Sequence, residues 1–452
     1  MPVAAAALSR IEAYFTQELR KARIPGGAVA VVAGGETLLA KGIGQTARSG
    51  GEAITADTLF EIGSLTKGWT AMAILQLRDR GLLDLSAPVQ QYLPWFRVAD
   101  REASARITVE HLLDQTSGLP NGAWKVGMDR PALRTAVERL ATVKLISPPG
   151  QQWMYSNMNY STLGLIIETV TGQPYATYIQ EQILGPLGMS ASTLTPLNRQ
   201  QRPWARPYVQ QIGGMTQYAI TDDAWAAPAG LGPACTITDL ARWAAAHLGA
   251  GAGVVLAERS LAESHAGTAD CSSQIKGGYY GRGWFTMTWQ GRRLVLNHGG
   301  TAGYSSVCCF LPDEGLAVVG LLNCNAGIAM KLGLNMLRIL TNEAPDVPDV
   351  FPDFGAFFAG LIRGLAIGGA LLLGSLTLGL IVGWNVPAWL GWALAVVAAL
   401  FLALPWSLKK NMMIPLPMPM NVGPGGWPLN LILAWWPFVL GLAGWAVFGI
   451  LG

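Results

Sequence analysis

Residues 60–77 read FEIGSLTKGWTAMAILQL, and this stretch decides how the rest of the chain is interpreted. Apolar side chains recur at helical spacing over residues 64–82, and Gly81 supplies a stop, so we predict a buried helix there. Ser64 and Lys67 stand at i and i+3, which places both side chains on one face of the first turn. An amine this close to a hydroxyl can polarise or deprotonate it, and free N–H groups at a helix start favour the charge that develops. The stretch therefore predicts a nucleophilic serine.

A second polar group, Tyr155-Ser156-Asn157, follows the turn at residues 148–150. We expect the phenol and the carboxamide to point to the same side of an extended or looping segment, because alternate residues share a face. Alone, Tyr155 is typical of a half-buried core aromatic, just as Ser64 alone is typical of a helix cap. The group therefore becomes informative only beside the first motif.

The third motif, His298-Gly299-Gly300, lies in a region rich in strand-forming residues. Two glycines allow a substrate backbone to approach a strand edge closely. A histidine at such a position is by itself most often a surface or hydrogen-bonded residue. The three motifs occurring in this order are far less frequent by chance than any one of them, so we interpret them as one catalytic site.

The regions around these motifs alternate between strand and helix patterns. Residues 26–42 predict a hairpin that turns at Gly34-Gly35, and residues 279–322 predict strands reading GRGWFTMTW, RRLVLNHGG, SSVCCFLP and LAVVGLLN. Further helices are predicted at residues 109–115, 160–171, 176–183 and 238–248. This order predicts one antiparallel sheet made from both chain ends, with a helical insertion between them.

Five segments carry a resemblance to a known family. FEIGSLTKGWTAMAILQL, ITVEHLLDQTSGLP, PPGQQWMYSNMNYSTLGLIIETVTG, ILGPLGMSAST and NHGGTAGYSS together resemble the serine β-lactamase and penicillin-binding-protein superfamily, in its class C and DD-peptidase-like branch. The resemblance covers residues 1–345. It implies an α/β fold in which a β-lactamase-like antiparallel sheet is flanked by helices and a helical subdomain, with the site between the two parts.

The resemblance also implies roles for the motif residues. Ser64 is the expected nucleophile, Lys67 its activating partner, Tyr155 the general base and later acid, and Asn157 a ligand for the substrate amide. His298 takes the place where many members carry the lysine of a K-T-G motif. A neutral Lys67 would act as a base itself, whereas a charged Lys67 would lower the pKa of Tyr155, and the sequence leaves both schemes open.

The acyl-enzyme carbonyl needs two converging N–H donors, which we assign to the backbone of Ser64 and of Thr301. Gly299 and Gly300 are expected to line the substrate beside them. No acidic residue is identified as a separate deacylation base, so we expect the Tyr155 side to activate water as well. The four histidines are scattered, so no metal site and no cofactor are predicted. The five cysteines show no C-x-x-C pair and are expected to be buried thiols.

The composition divides the chain. It has 31 Lys+Arg against 28 Asp+Glu, but residues 354–452 contain no acidic side chain and only Arg363, Lys409 and Lys410 as basic ones. The preceding residues are therefore electrically neutral, which argues against a nucleic-acid partner. We predict a hydrolase domain at residues 1–345, a linker at 346–363 and a membrane domain at 364–452, with a Pro-Asp-rich boundary over 342–353.

Three apolar stretches, residues 364–384, 387–408 and 429–451, are each about the 20 residues that cross a bilayer. The loop at 411–428 is rich in Met, Pro and Gly and lies on the same side as the hydrolase domain. The Lys409-Lys410 pair just before this loop, with no signal-peptide pattern at the start, favours a cytoplasmic face. The family resemblance favours the outer face of a bacterial inner membrane, and we expect the catalytic domain to be periplasmic.

A serine hydrolase domain followed by three C-terminal membrane helices is similar to the peptidases that mature colibactin-type nonribosomal peptides. This similarity implies a peptide or small-molecule acyl substrate, lipid-acylated in some cases, and contact with membrane lipids. A carboxylesterase, a DD-peptidase or β-lactamase, and a non-catalytic acyl-ligand sensor are the alternatives, because one fold serves many activities. The intact Ser64 and Lys67 disfavour the sensor.

Overall fold

The structure is a computed structural model that describes residues 3–127, 131–194, 203–211, 214–217, 224–250 and 252–347. The three predicted membrane spans, the loop at 411–428 and all but the first two residues of the predicted linker 346–363 lie outside the described residues. Among the helices within the described ranges, none is both long enough and apolar enough to cross a membrane.

The centre of the fold is an antiparallel sheet of eight strands in the order β2-β1-β12-β11-β10-β9-β8-β7. A three-stranded sheet β13-β4-β5 and a two-stranded sheet β3-β6 accompany it. In chain order the strands are β1 Gly26–Ala33, β2 Glu36–Gly44, β3 Phe60–Glu61, β4 Tyr208–Gln211, β5 Gly214–Gln217, β6 Ala234–Cys235, β7 Ala269–Asp270, β8 Gly278–Gly281, β9 Trp284–Trp289, β10 Arg292–Gly300, β11 Ser305–Leu311, β12 Leu316–Leu322 and β13 Cys324–Asn325.

Helices cover the sheet and form most of the segment between β2 and β7. They are α1 Ala5–Lys21, α2 Thr66–Asp79, α3 Val89–Tyr92, α4 Arg101–Arg106, α5 Val109–Leu113, α6 Leu133–Glu138, α7 Asn157–Thr171, α8 Tyr175–Ile179, α9 Ile237–His247, α10 Glu258–Ser264 and α11 Ala329–Leu340. The helices predicted at 64–82, 109–115, 160–171 and 238–248 are found with shifts of a few residues at their ends.

The two chain ends meet in the sheet, as predicted. Strand β1 pairs with β12 so that Gly27 lies opposite Leu322. Alternate side chains of β1 enter two different cores, because successive residues of a strand face opposite sides of its sheet. Ala28 and Ala30 join the core that contains α2 and α9, whereas Val29 and Val31 join the core beneath α1 and α11.

Helices α1 and α11 are additions that the sequence patterns did not predict. They pack together on one face of the sheet, where Phe15 and Met336 are fully buried. Glu18 of α1 forms an ion pair with Lys331 of α11 at 2.7 Å, which joins the two helices at their edge. This layer brings both ends of the described chain to one face of the sheet.

Two predicted elements need correction. Within the stretch GRGWFTMTW the strand begins only at Trp284, because Arg282 and Gly283 adopt φ of 49° and 90° and turn the chain between β8, which ends at Gly281, and β9. The helix predicted at 176–183 becomes a π-helical turn at Gln180–Leu184 after α8. A residue-type pattern does not reveal either change, since both depend on neighbours far along the chain.

Candidate active site

Ser64 lies in a 3₁₀ turn, Gly63–Leu65, that leads directly into α2. Gly63 adopts a φ of 54°, and a Cβ on it would come 2.5 Å from the backbone nitrogen of Gly300, so only glycine serves here. Thr66 closes the turn with a hydroxyl bond to the Gly63 carbonyl at 2.9 Å. The turn therefore presses the serine against the end of β10.

Lys67 lies one turn further along the helix and is fully buried, whereas Ser64 keeps 8% exposure. Its Nζ is 3.0 Å from Ser64 Oγ, as the i and i+3 spacing predicts. Two other atoms within 3 Å of Nζ can only accept hydrogen bonds, Asn157 Oδ1 at 2.9 Å and the Ala229 carbonyl at 2.5 Å. A neutral amine that donates to these two directs its lone pair at Ser64.

Burial lowers the pKa of Lys67 well below its usual value. The rings of Tyr155 and Tyr160 lie 4.8 and 5.7 Å from its Nζ, which leaves little room for water around the amine. The cause of the lowered pKa is desolvation, because the charged form loses its hydration. A neutral Lys67 is therefore compatible with its surroundings.

The hydroxyl of Tyr155 lies 2.6 Å from Ser64 Oγ, and the tyrosine is buried. Burial raises the pKa of its phenol, and the bond to Ser64 only partly opposes that rise. The expectation of an extended segment is partly wrong. Ser156 is extended, with φ of −143° and ψ of 123°, but Asn157 already begins α7. The turn into the helix is what aims both side chains at Lys67.

The motif on β10 lies against the start of α2. A Cβ on Gly299 would clash with the carbonyl of Ile62 and with Ser306, so this position also requires glycine. His298 is half-buried, its ring lies near that of Phe285, and burial is the main cause that lowers its pKa to about 4. The imidazole is therefore neutral at pH 7 and cannot replace the charge of a lysine at this position.

Thr301 does not offer the donor that was predicted. Its backbone N–H donates to the Tyr304 carbonyl at 3.0 Å, and its own carbonyl accepts from Asn325 at 2.6 Å. The N–H group thus closes the turn between β10 and β11, and the carbonyl joins that turn to β13. The assignment of Thr301 as the second donor to the acyl carbonyl does not hold in this structure.

Sequence reasoning missed three residues that organise the site: Ala229, Asn297 and Gln115. The carboxamide of Asn297 donates to the carbonyls of Ser64 at 3.1 Å and Gly283 at 2.8 Å, which ties β10 to the nucleophile turn. The only signal for Asn297 was its place beside His298. Ala229 contributes a backbone carbonyl, for which no residue-type signal exists.

No group of three or more potential metal ligands occurs among the residues that the structure describes. His111 caps α5, and ring nitrogens of His247 and His265 lie 2.8 Å from each other. None of these three histidines forms a hydrogen bond or ring contact with Ser64 in the described part of the chain. The five cysteines are all buried and free.

Comparison with curated proteins finds relatives that match most of residues 1–345. The chain is 29% identical over 328 residues to Protein flp of Staphylococcus aureus (strain MW2), which covers 72% of this chain and 64% of that protein. It is 31% identical over 343 residues to Penicillin-binding protein 4 of Amycolatopsis lactamdurans, covering 73% of this chain and 88% of the relative. The match with flp thus spans somewhat less than two thirds of that protein's length.

Solved structures share the fold. A class C beta-lactamase in complex with cefoxitin superposes with a TM-score of 0.65 at 22% identity, covering 75% of this chain and 99% of that one. A D-stereospecific amidohydrolase from Streptomyces sp. superposes with a TM-score of 0.58 at 25% identity, covering 69% and 94%. The Beta-lactamase family model matches residues 11–343, which include all three motifs. The chain therefore belongs to the beta-lactamase family, whose fold is that of serine hydrolases resembling penicillin-binding proteins.

Proposed function

We propose that this protein is a membrane-bound serine peptidase that forms a Ser64 acyl-enzyme and removes an N-acyl-D-amino-acid group, of the D-asparagine type, from a nonribosomal peptide product. The observation that carries the hydrolase proposal is the position of Ser64 Oγ between Lys67 Nζ at 3.0 Å and Tyr155 OH at 2.6 Å. A serine held between a buried amine and a phenol has both a proton acceptor and a proton donor within reach.

In the first step Lys67 is the primary base. Its two acceptor partners use the N–H groups of the neutral amine, so its lone pair takes the Ser64 proton as Oγ bonds to the substrate carbonyl carbon. Tyr155, whose pKa is raised, remains a phenol and protonates the leaving nitrogen when the C–N bond breaks. Lys67 returns its proton to Tyr155 as the phenol proton leaves, so no tyrosinate accumulates, and an ester remains on Ser64.

In the second step water replaces the leaving amine beside Tyr155. The water oxygen bonds to the acyl carbon as the acyl C–Oγ bond breaks, the proton that water loses reaches Ser64 Oγ through Tyr155 and Lys67, and the acid product departs. Lys67 as base is an assignment from geometry, because a tyrosinate would be disfavoured by the burial that raises the pKa of Tyr155. The family resemblance assigns this role to Tyr155 instead, and the two schemes differ in the variants described below.

The preference for a D-amino-acid amide rests on two supports. The amidohydrolase from Streptomyces sp. that shares the fold is described as D-stereospecific. The neutral imidazole of His298 offers no fixed charge for a carboxylate, which suits an amide whose leaving group continues into a longer peptide. An ester of the same acyl group would meet the same residues, so a carboxylesterase is the second candidate.

The substrate test uses N-myristoyl-D-asparaginyl and N-myristoyl-L-asparaginyl amides, the matching D ester and a labelled penicillin. We expect the full-length protein to cleave the D amide at least tenfold faster than the L amide, and Ser64→Ala to cleave neither. A strong preference for the ester would promote the carboxylesterase, and rapid turnover of the penicillin would promote a β-lactamase. Failure of fluorophosphonate to label wild type at Ser64 would contradict the enzyme proposal altogether.

We also propose that the tail does more than tether the domain, since one helix would suffice for a tether. In this proposal the loop at 411–428 completes a groove for a long acyl chain. Burial of each methylene is worth ~0.8 kcal/mol, so losing four contacts would reduce kcat/KM by about a hundredfold. Truncation after residue 347 should therefore spare an N-acetyl substrate and impair the N-myristoyl one. An equal effect on both chain lengths would contradict the groove.

The proposed periplasmic placement has its own test. A reporter fused after residue 452 is expected to be active in the cytoplasm, because three spans place the C-terminus opposite the catalytic domain. Activity of a periplasmic reporter at that point would place the domain inside instead.

A further inference from the structure

Gln115 has an unusual backbone for its residue type. It follows α5, is fully buried, and adopts a φ of 61°, a left-handed conformation that glycine accepts and other residues seldom adopt. Such a conformation costs of order 1 kcal/mol or more and persists only where surrounding contacts hold it. The contacts of Gln115 must therefore stabilise this conformation.

Those contacts surround the catalytic tyrosine. Gln115 Oε1 accepts hydrogen bonds from the backbone N–H of Ser156 at 2.9 Å and from Nδ2 of Asn159 at 2.5 Å. Its backbone carbonyl accepts from the N–H of Met154 at 2.8 Å. One residue thus binds the chain immediately before Tyr155, immediately after it, and in the first turn of α7.

The segment that Gln115 binds carries Tyr155, the partner of Ser64, and Asn157, a partner of Lys67. Tyr155 reaches Ser64 at 2.6 Å, and Asn157 reaches Lys67 at 2.9 Å, from a backbone that changes from extended to helical between them. A misplacement of about 1 Å is enough to reduce catalysis strongly. The backbone conformation between Tyr155 and Asn157 therefore determines whether their side chains are close enough to Ser64 and Lys67 for proton transfer.

We propose that Gln115 is a positioning residue for the hydrolase reaction: its single side-chain oxygen fixes the backbone that orients Tyr155 and Asn157. This inference rests on the proposed acyl-enzyme function but not on the identity of the substrate. Gln115 touches no reacting atom and acts through Ser156 and Asn159.

The local structure offers matched variants. Gln115→Gly removes the side chain but tolerates the positive φ, so it separates loss of the oxygen from backbone strain. Gln115→Glu retains an acceptor oxygen for both donors, and the oxygen that replaces Nε2 can accept from the phenol of Tyr280, with which the Gln115 side chain interacts. Ser117→Ala is the control, because Ser117 also bonds Asn159, at 2.6 Å, but does not bond the Tyr155 segment.

The experiment measures the rate at which fluorophosphonate labels Ser64, and kcat and KM per labelled site in the full-length protein. We expect Gln115→Gly to lower the labelling rate and kcat about thirtyfold while KM changes less than twofold. Gln115→Glu should recover at least a third of the wild-type rate, and Ser117→Ala should stay within threefold of wild type. Counting labelled sites at completion removes the contribution of misfolded protein.

Three results would overturn the proposal: a Gln115→Gly labelling rate within twofold of wild type, a Glu variant as slow as the Gly variant, or an equal loss in Ser117→Ala. If Gln115→Gly does not fold, Asn159→Ala removes one of the two donors, and a loss below twofold there overturns the proposal as well. If wild type labels but does not cleave D-asparaginyl amides, the substrate proposal fails while the labelling rates still decide the role of Gln115.

Discussion

Two of the buried clusters of titratable groups in the described part of the chain differ in one respect: one contains a nucleophile and the other does not. Around Lys67 the partners are oxygens: Ser64 Oγ, Asn157 Oδ1 and a carbonyl. The other cluster is the histidine pair, His247 and His265, whose ring nitrogens lie 2.8 Å apart. Burial lowers the pKa of Lys67 and of both histidines.

The difference lies in what surrounds the buried nitrogen. Trp243 and Trp284 lie 4.5 and 4.8 Å from the His247 ring, and His247 Nε2 has no hydrogen-bond partner in the described part of the chain. Aromatic rings exclude water without offering a proton acceptor, so the pair is held neutral but has nothing to activate. Desolvation alone thus produces a shifted pKa, whereas a reactive site also needs a hydroxyl and oriented acceptors.

The largest expected effect concerns the oxygen-lined cluster. Ser64→Ala and Lys67→Ala should each reduce kcat/KM by about 10⁴-fold, because both act in one proton relay and such effects are not additive. Steady-state kinetics on the D amide, with circular dichroism to verify folding, measures this. Retention of more than about a tenth of the wild-type rate by Lys67→Ala, a loss below ~1.4 kcal/mol, would contradict the relay.

A smaller loss is expected for the phenol. Tyr155→Phe should lower kcat by about 10³-fold, since Lys67 still activates Ser64 while protonation of the leaving amine is lost. The test compares the amide with an activated ester whose leaving group needs no proton. Lys67 as primary base predicts that the ester acylates this variant at almost the normal rate, measured as the burst of released leaving group, and an equal loss of acylation rate on both substrates would assign the base to Tyr155.

The histidine pair should affect stability rather than catalysis. Burial lowers the pKa of His265 to about 4, below the ordinary value of 6.5, with a smaller contribution from Arg293. Its contribution to stability is therefore fully present above pH 6.5 and is lost as the pH falls toward 4, by about 3 kcal/mol in all. Urea unfolding between pH 7 and 4 measures the loss, which a His247→Leu/His265→Leu double variant should reduce. An unchanged slope in that variant would refute the assignment.

The smallest effect is expected at His298. Because its pKa lies near 4, its charge does not change between pH 5 and 8. His298→Gln should change kcat/KM on the D amide by less than about threefold and should leave the pH profile unaltered over that range. Loss of an ionisation near 6.5 in the variant would show that the imidazole titrates during catalysis.

Local patterns by themselves revealed the site only where its chemistry is local, and the family resemblance supplied Tyr155, which lies 91 positions from Ser64. Ser64 and Lys67 were predictable because three residues of helix bring them together, and the sheet was predictable because its strands alternate and end at glycines. Asn297 and Gln115 were not predictable, since their partners lie 233 and 41 positions away. The break at Arg282 was missed for the same reason: its guanidinium enters a buried ion pair with Asp114, a contact outside the strand.

Because β1 pairs with β12, the first strand of the sheet must wait during synthesis for a partner that is made near the end of the domain. Gly27 leaves the ribosome long before its partner Leu322 exists, a delay of roughly 15 to 60 s at ordinary elongation rates. During that interval the nucleophile turn has no β10 to press against, because the strand that carries His298 is also still to be made. A nascent chain therefore carries Ser64 without an assembled site, and hydrolysis begins only when the domain closes on its own first strand.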